Sequence, residues 1–349
     1  MLFWTMLILF LAVCIFISWM CFIALKTSRY SQEKIGQLSV IIPFKNEEEH
    51  LPFLIDSINL QNIPETMAVH FIFIDDGSTD DSTGKIEKLN YSFEIIPNNG
   101  QGKKLAIHQG VQKADTEYLL TLDADVSLPQ GYFQLLHKSG GSDLMILPVQ
   151  MKGTSIIGSW SCIEFDYLQM VTFGFARLSN PILCNGANLL FRKQLYLDSW
   201  KTRIDFNRAS GDDYFLLQAA KKLGVKITSS NNVGLLVKTP SPSTFVSVLN
   251  QRKRWVSKIE YRLVELSGGL GVVFYQTFFL IAVGLSLLHP AVLLLAGAKL
   301  IFEWIVLSVY RKELYPLTSV FLNQLIAPFY YLALLFHKVD EPKWNLKEE

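Results

Sequence analysis

The chain has 349 residues, half of them apolar, and a mean hydropathy of +0.26. This length accommodates one domain of about 200 to 250 residues with appended segments, and the apolar content indicates that part of the chain is solvated by lipid. The net charge of +1 argues against a nucleic-acid partner, and the four cysteines have neither a disulfide-framework nor a zinc-site spacing.

Residues 1–25 form an uncharged apolar segment of the length that spans a bilayer. The segment lacks the basic start, short apolar stretch and small-residue cleavage site of a signal peptide, so we expect a retained membrane anchor. Lys26, Arg29 and Lys34 follow it directly. The positive-inside rule therefore predicts an integral membrane protein whose main domain faces the cytoplasm.

Short apolar runs alternate with helical patterns across residues 36–243. Four of these runs are continuously apolar, as expected for strands that are covered on both faces. They lie at 38–44, 69–75, 117–123 and 143–149. The alternation predicts an α/β domain with a doubly wound, mostly parallel, Rossmann-like sheet, and ligands of such sheets bind beyond the carboxyl ends of the strands.

Acidic pairs follow two of the predicted strands. Asp75 and Asp76 end the run IFIDDG, and Asp123 and Asp125 follow the run LLTL. An Asp-x-Asp sequence directs two carboxylates the same way, which suits a Mg²⁺ or Mn²⁺ ion that is shared with a diphosphate. Turn formation or helix capping explains either pair taken alone, and only their conjunction favours a binding site.

Two further groups suit the same chemistry. Asp212 and Asp213 begin a predicted helix, and because capping explains only one of them, the other is a candidate general base for an acceptor hydroxyl. Lys103 starts the helix that opens at Gly102, where the helix dipole and the ammonium group both favour phosphate. The alternative for Lys103 is a solvated surface lysine.

A basic amphipathic pattern covers residues 244–266. Apolar residues recur at helical spacing, and basic residues that include Arg252 and Arg254 lie between them. Such a helix is typical of the membrane interface. This interpretation also explains the sequence QRKRW at 251–255.

Residues 269–336 are predominantly apolar and are followed by a polar tail at 337–349. The expected membrane spans are 269–289 and 291–310. Residues 317–336, which include internal polar residues and a proline, are a third candidate that either spans the membrane or lies in its interface. Lys299 and Glu303 stand four residues apart within the second span. Because a charge in lipid is costly unless it is paired, we expect them to face each other or a neighbouring helix.

Seven motifs occur in one order, which is IIPFKNEE, DDGSTD, NNGQGKK, LTLDAD, CNGANLLFRK, GDD and QRKRW. Across about residues 38–256, this order resembles membrane-bound family 2 glycosyltransferases, which have a GT-A fold. The resemblance implies that Pro43, Asn46 and Glu47 lie near the base of a bound nucleotide. It also implies that Asp75 and Asp76 contact the nucleoside.

The same resemblance implies roles for the remaining motifs. Asp123 and Asp125 correspond to the residues that bind the diphosphate and its metal. Asp213 corresponds to the catalytic base, and Asp212 stands where the family often has glutamate. The Gln-x-x-Arg-Trp motif, which lies near the acceptor and the diphosphate, corresponds to Gln251, Arg254 and Trp255.

These features predict an inverting, metal-dependent glycosyltransferase that moves a sugar from a nucleotide-sugar, specifically a UDP-sugar, to a membrane lipid, as ceramide- or diacylglycerol-type glucosyltransferases do. A single carboxylate base without a second nucleophile predicts one displacement. The alternative is a processive polysaccharide synthase, for which the expected spans are few. Polyprenyl-phosphate sugar transferases share the acidic motifs but usually lack QRKRW. A non-catalytic scaffold would be expected to have lost an acidic cluster.

Overall fold

The computed structural model describes residues 2–26, 33–201, 211–256 and 275–336. Its contacts divide the chain into two units. The helical unit comprises Met1–Leu25, Met151–Gly174 and Ser241–Asp340, and the sheet unit comprises Lys26–Gln150, Phe175–Pro240 and Glu341–Glu349. Arg29, residues 257–266, the start of the expected span 269–289 and the tail 337–349 lie wholly or largely outside the described residues.

The sheet unit is built on a central sheet of seven strands. The strands of the chain are β1 (Gln37–Phe44), β2 (Ala68–Asp75), β3 (Phe93–Pro97), β4 (Tyr118–Leu122), β5 (Leu144–Ile146), β6 (Val149–Lys152), β7 (Asn188–Arg192), β8 (Ile227–Ser229) and β9 (Val237–Pro240). The sheet has the order β3-β2-β1-β4-β7-β5-β8, and β6 pairs separately with β9. Only β7 runs antiparallel to its neighbours. The expected mostly parallel sheet is confirmed.

Helices connect these strands and cover the sheet. The helices of the chain are α1 (Leu2–Leu25), α2 (Leu51–Asn59), α3 (Ser82–Ile86), α4 (Lys103–Lys113), α5 (Tyr132–His137), α6 (Ile156–Arg177), α7 (Lys193–Lys201), α8 (Asp212–Leu223), α9 (Phe245–Val256), α10 (Tyr275–Leu285), α11 (Leu293–Arg311) and α12 (Leu317–Phe336). All but one residue of β1 and every residue of β4 are buried. This burial is the physical reason for their continuously apolar sequences.

The apolar run 143–149 is not one strand, contrary to expectation. It contains β5, which ends at Ile146, and the first residue of β6, which begins at Val149. Pro148 lies between the two strands. Because proline has no backbone N–H to donate, it interrupts a central strand even where the side-chain pattern is uniformly apolar.

The helical unit contains α1, most of α6, and α9 to α12. Among the described residues, two helices are long and apolar enough to cross a membrane, Leu7–Leu25 and Pro290–Arg311. Two shorter apolar helices cover Tyr275–Leu285 and Leu317–Ala333. The domain predicted at residues 36–243 includes α6. The contacts of α6 instead place this helix, up to Gly174, in the helical unit.

The expected pairing of Lys299 with Glu303 is present in α11. Lys299 Nζ donates to Glu303 Oε1 at 2.5 Å and to Gln324 Oε1 of α12 at 2.5 Å. Gln324 Nε2 in turn donates to Glu303 Oε2 at 2.5 Å, and all three residues are fully buried. The positive charge of Lys299 and the negative charge of Glu303 therefore neutralise each other between two apolar helices. An unpaired charge would be costly in this nonpolar environment.

A glycine sets the distance between α4 and the sheet. A β-carbon added at Gly110 would lie 2.7 Å from Ile41 Cγ2 and 2.9 Å from Ile74 Cδ1. Gly110→Leu should destabilise the protein by about 1 to 3 kcal/mol through overpacking, and the midpoint of thermal unfolding in detergent should fall. Gly297→Leu is the matched control, since no atom lies within 4 Å of that position. Equal midpoints for the two variants would refute the tight packing of α4.

Candidate active site

Three parallel strands end at one edge of the sheet. Phe44 at the end of β1 stands opposite Asp75 at the end of β2. Ile41 of β1 stands opposite Thr121 of β4, one residue before the end of that strand. The polar segments that follow β1, β2 and β4 therefore lie side by side, where parallel α/β sheets bind their ligands. Asp123 follows β4 directly.

The DDGST turn after β2 is tied to the loop after β1. Ser78 N–H donates to Asp75 Oδ1 at 2.8 Å, and Thr79 N–H donates to Asn46 Oδ1 at 2.8 Å. Asn46 N–H donates to Ser78 Oγ at 3.1 Å. Asn46 has a φ of 52°, a left-handed conformation that asparagine tolerates better than most residues. Asn46 and Asp75 thus shape this edge, and their contacts with a nucleotide stay predictions.

Asp76 holds the loop that precedes α4. Its Oδ1 accepts from Asn98 Nδ2 at 2.5 Å and from Gly102 N–H at 2.9 Å, and its Oδ2 lies 4.0 Å from Lys45 Nζ. Gly102 has a φ of 90°, which glycine adopts without steric cost. The carboxylate of Asp76 therefore fixes the amino-terminal end of α4, and with it the backbone of Lys103.

Lys103 is the cationic centre of the edge. Its Nζ donates to Asp123 Oδ1 and forms an ion pair with that carboxylate. Burial disfavours the ammonium form, but the carboxylates of Asp123, Asp213 and Asp125 outweigh this effect and raise the pKa of Lys103. Lys103 is therefore charged at neutral pH. The acids that raise its pKa follow the end of β4 and begin α8.

Asp125 has an oxygen suited to a cation. Its Oδ1 is buried and has no hydrogen-bond partner among the described residues. Burial and the nearby carboxylates of Asp123 and Glu47 raise the pKa of Asp125 to about 7. A divalent cation would relieve this repulsion in place of a proton, so the residues fit a hard metal ion.

Two acids alone do not enclose such an ion. The described part of the chain has no group of three or more His, Cys, Asp or Glu side chains arranged for a metal. Magnesium-type ions are often bound by one or two carboxylates together with substrate phosphates and water. The remaining ligands would therefore come from a diphosphate and solvent.

Asp213 is held by backbone amides at the start of α8. Gly186 N–H donates to its Oδ2 at 3.1 Å, and Tyr214 N–H donates to its Oδ1 at 2.8 Å. A β-carbon at Gly186 would come within 3.6 Å of Asp213 Cβ, so the motif CNGANLL approaches the acid closely. The helix begins after Gly211, whose φ is 115°. Asp212 stands beside Asp213 in the first turn, where the helix dipole favours both charges.

The motif residues Gln251, Arg254 and Trp255 lie on α9 in the helical unit. Arg252, one of the basic residues of this amphipathic helix, is buried and only 3% exposed. Its guanidinium is paired with Glu164 of α6, and this partner compensates for the loss of water.

The structure adds residues that the sequence analysis did not single out. Asn98 and Gly186 organise Asp76 and Asp213. The signal that could have found them is their place in the motifs NNGQGKK and CNGANLLFRK, which are rich in glycine and asparagine. His50 Nδ1 lies 2.8 Å from Glu47 Oε2, and His50 is one of the groups that oppose the rise in the pKa of Asp125. No sequence signal identified His50.

Comparison with known proteins agrees with this geometry. The model of "Glycosyl transferase family 2" matches residues 39–139, and that of "Glycosyl transferase family group 2" matches residues 118–336. The fold and the site thus define a glycosyltransferase. Because the second model covers more than half of its length, the chain belongs to glycosyl transferase family group 2.

Individual relatives match over shorter stretches. The undecaprenyl-phosphate 4-deoxy-4-formamido-L-arabinose transferase of Proteus mirabilis is 37% identical over 102 residues, and that of Yersinia pestis is 34% identical. These matches cover 28% of this chain and 31% of each relative, so the chain matches about a third of the length of these proteins.

A solved structure matches almost the whole chain. The mannosyltransferase PcManGT from Pyrobaculum calidifontis, in complex with GDP-Man and Mn²⁺, has a TM-score of 0.53 at 12% identity and covers 93% of this chain and 97% of its own. This likeness supports the GT-A fold, as the sequence predicted.

The role of Asp76 as an organiser of the loop is testable by hydrogen exchange. Asp76→Ala removes the acceptor of Gly102 N–H and Asn98, and the loss of about 1 to 3 kcal/mol should speed amide exchange at Gly102 roughly tenfold or more. Glu94→Ala, which affects an ion pair with Lys113 at the surface, is the control and should leave this loop unchanged. Unaltered exchange in Asp76→Ala would contradict the assigned role.

Proposed function

We propose that the chain transfers a sugar from a nucleotide-sugar, specifically a UDP-sugar, to a lipid acceptor with inversion at the anomeric carbon. The observation that carries this proposal is the ion pair of Lys103 with Asp123 at the edge of a parallel sheet, where the carboxylates of Asp213 and Asp125 also raise the pKa of Lys103. Similar proteins support a nucleotide-sugar donor and a lipid acceptor. They include an undecaprenyl-phosphate sugar transferase and a mannosyltransferase in complex with GDP-Man and Mn²⁺.

The donor half of the site neutralises the leaving diphosphate. Asp123 and Asp125 would hold a Mg²⁺ or Mn²⁺ ion together with the diphosphate, and this ion would supply positive charge where negative charge develops on the leaving group. Lys103 exchanges its contact with Asp123 for a phosphate oxygen, at a helix terminus whose dipole favours the same charge. The nucleoside lies toward Asp75 and Asp76, with the base toward Pro43, Asn46 and Glu47.

The acceptor half of the site is centred on Asp213. The two amides on its oxygens orient the carboxylate, whose role would be to accept a proton from a hydroxyl nucleophile. Among the described residues we assign no second nucleophile, so the reaction is a single displacement. We assign Asp212, in the same turn, to substrate binding. The Gln-x-x-Arg-Trp motif assigns Gln251, Arg254 and Trp255 to the acceptor and the diphosphate.

Two lipid classes are chemically distinct acceptors for such a site. A lipid hydroxyl, as in ceramide or diacylglycerol, must lose its proton during transfer and therefore needs a base. A polyprenyl phosphate, suggested by the names of the curated relatives, has a second pKa near 6 and is already largely deprotonated at neutral pH. The need for Asp213 therefore separates a hydroxyl acceptor from a phosphate acceptor.

The lipid acceptor also accounts for the apolar helices. Leu7–Leu25 and Pro290–Arg311 meet the length and hydropathy of membrane spans, and they fix the enzyme at the surface from which its acceptor is delivered. We propose that the sheet unit faces the cytoplasm, because Lys26, Arg29 and Lys34 follow the first span. Growth of a long polymer from a single UDP-sugar would instead favour the processive synthase.

Asp213→Asn tests the proposed base. With a lipid hydroxyl as acceptor, transfer should fall about 10²- to 10⁴-fold, the usual contribution of a general base, while the affinity for UDP stays within about twofold. Products from a panel of UDP-sugars and extracted lipids are read by mass spectrometry. Asp198→Asn, at a surface acid bonded to Lys201, is the control and should be fully active. Near-normal transfer to a hydroxyl by Asp213→Asn would refute the assignment.

Removal of divalent cations tests the metal site. After dialysis against a chelator, UDP release should stop and should return on addition of Mn²⁺ or Mg²⁺. Asp125→Asn should raise the Mn²⁺ concentration needed for half-maximal activity by roughly tenfold or more. Even residues that only orient a metal ligand typically change metal affinity by about tenfold or more. Asp56→Asn, an exposed acid on α2, is the control. Full activity of the chelated enzyme would contradict the metal-dependent mechanism.

A further inference from the structure

A buried ion pair joins α9 to α6 within the helical unit. Arg252 Nε donates to Glu164 Oε2 at 2.8 Å, and Arg252 Nη2 donates to Ser161 Oγ at 3.1 Å and to the Ser161 carbonyl at 3.2 Å. Arg252 is 3% exposed, and the side chain of Glu164 is 10% exposed. The guanidinium therefore has a fixed orientation, set by three bonds to one face of α6.

The same guanidinium contacts two of the three motif side chains. Arg252 Nη1 donates to Gln251 Oε1, which fixes the side-chain amide of Gln251. The guanidinium carbon lies 4.1 Å from the ring centroid of Trp255, close enough for a cation–π contact. The Trp255 ring also packs against Phe165, the residue after Glu164, with centroids 5.7 Å apart. Arg252 thus stands between Gln251 and Trp255.

The support for this arrangement is a firmly packed helix. Ile163 of α6 shares a buried cluster with Leu307 and Val320 of α11 and α12. Trp160 Nε1 donates to Asn323 Oδ1 of α12 at 3.1 Å. At Gly174, α6 approaches Met20 of α1 so closely that an added β-carbon would lie 2.3 Å from its methyl carbon. Helices on several sides of α6 therefore fix the place of Glu164.

We propose that Glu164 and Arg252 are positioning residues, which hold Gln251 and Trp255 in the geometry that sugar transfer requires. The inference rests on the proposed role of the Gln-x-x-Arg-Trp motif at the acceptor and diphosphate. Stability alone does not explain the pair, because buried ion pairs are often replaced by apolar residues without loss of stability. A guanidinium that is held by Glu164 and Ser161, bonds Gln251 and stacks on Trp255 sets the orientation of both motif side chains.

Arg252→Lys and Glu164→Gln are the informative variants. Lysine keeps a positive charge for Glu164 but cannot bond Gln251 and stack on Trp255 at once. We expect kcat to fall about 10- to 100-fold in both variants, as for other residues that orient a functional group, with the Kd of UDP unchanged within about twofold. The double variant should lose no more than either single variant, because the two residues serve one role. Additive losses would overturn the proposal.

Asp166→Asn is the matched control. Asp166 lies two residues after Glu164 on α6, is 3% exposed, and pairs with Arg311 at 3.1 Å instead of with the motif. Its replacement should lower the unfolding midpoint without the selective fall in kcat. If Arg252→Lys has the kcat of the wild type, or if Asp166→Asn loses as much kcat as Glu164→Gln, the pair is merely structural. Should Glu164→Gln fail to fold, Arg252→Lys and Ser161→Ala decide the question in the same assay.

The role of the motif itself is tested separately. Gln251→Ala and Trp255→Ala are assayed for UDP release and lipid product with the same UDP-sugars and lipid extract. If both variants transfer sugar as the wild type does, the motif has no role in transfer. The positioning role of Glu164 and Arg252 is then refuted as well. Impaired transfer by both, combined with an Arg252→Lys variant that behaves like the wild type, would overturn the inference alone.

Discussion

The parallel pairing of β1 with β2 and β4 is the constraint on which the candidate site depends. In this register Phe44 stands opposite Asp75, and the segments after all three strands reach one edge of the sheet. A shift of one residue in β2 would turn Asp75 to the other face and would separate Asp76 from the loop at Asn98. The buried apolar strands thus determine where the acids lie, although they carry no chemistry themselves.

Charge balance at this edge connects the fold to the reaction. Lys103 pairs with Asp123, and the carboxylates of Asp213 and Asp125 also raise its pKa. Asp125 has a buried oxygen without a hydrogen-bond partner among the described residues, so negative charge is concentrated at a site that a cation and a diphosphate would complete together. The amides on Asp213 add orientation without adding charge. In the proposed function, a divalent cation bound together with the donor would supply the positive charge that balances these carboxylates and the diphosphate.

The sequence predicted the parts of the structure that depend on local pattern. Continuous apolar runs predict the strands β1, β2 and β4, because burial on both faces requires such runs. The acids stand out because they follow these runs directly. The proline at position 148 is a signal for a strand break, but its apolar neighbours favour one continuous strand over 143–149. The burial of Arg252 was not predictable from helical periodicity, because its partner Glu164 is 88 residues away. The available signal for buried ion pairs was in α6, whose largely apolar sequence contains two acids, Glu164 and Asp166.

The central claim is that the edge formed by β1, β2 and β4 binds a metal–diphosphate pair. A crystal of the protein grown with Mn²⁺ and UDP, with diffraction recorded at the Mn absorption edge, tests it most directly. We expect one anomalous peak in contact with the carboxylate of Asp125 and the diphosphate, with Lys103 on a phosphate oxygen and Asp213 outside the metal coordination. A peak elsewhere, or UDP bound away from this edge, would refute a metal–diphosphate site at this edge.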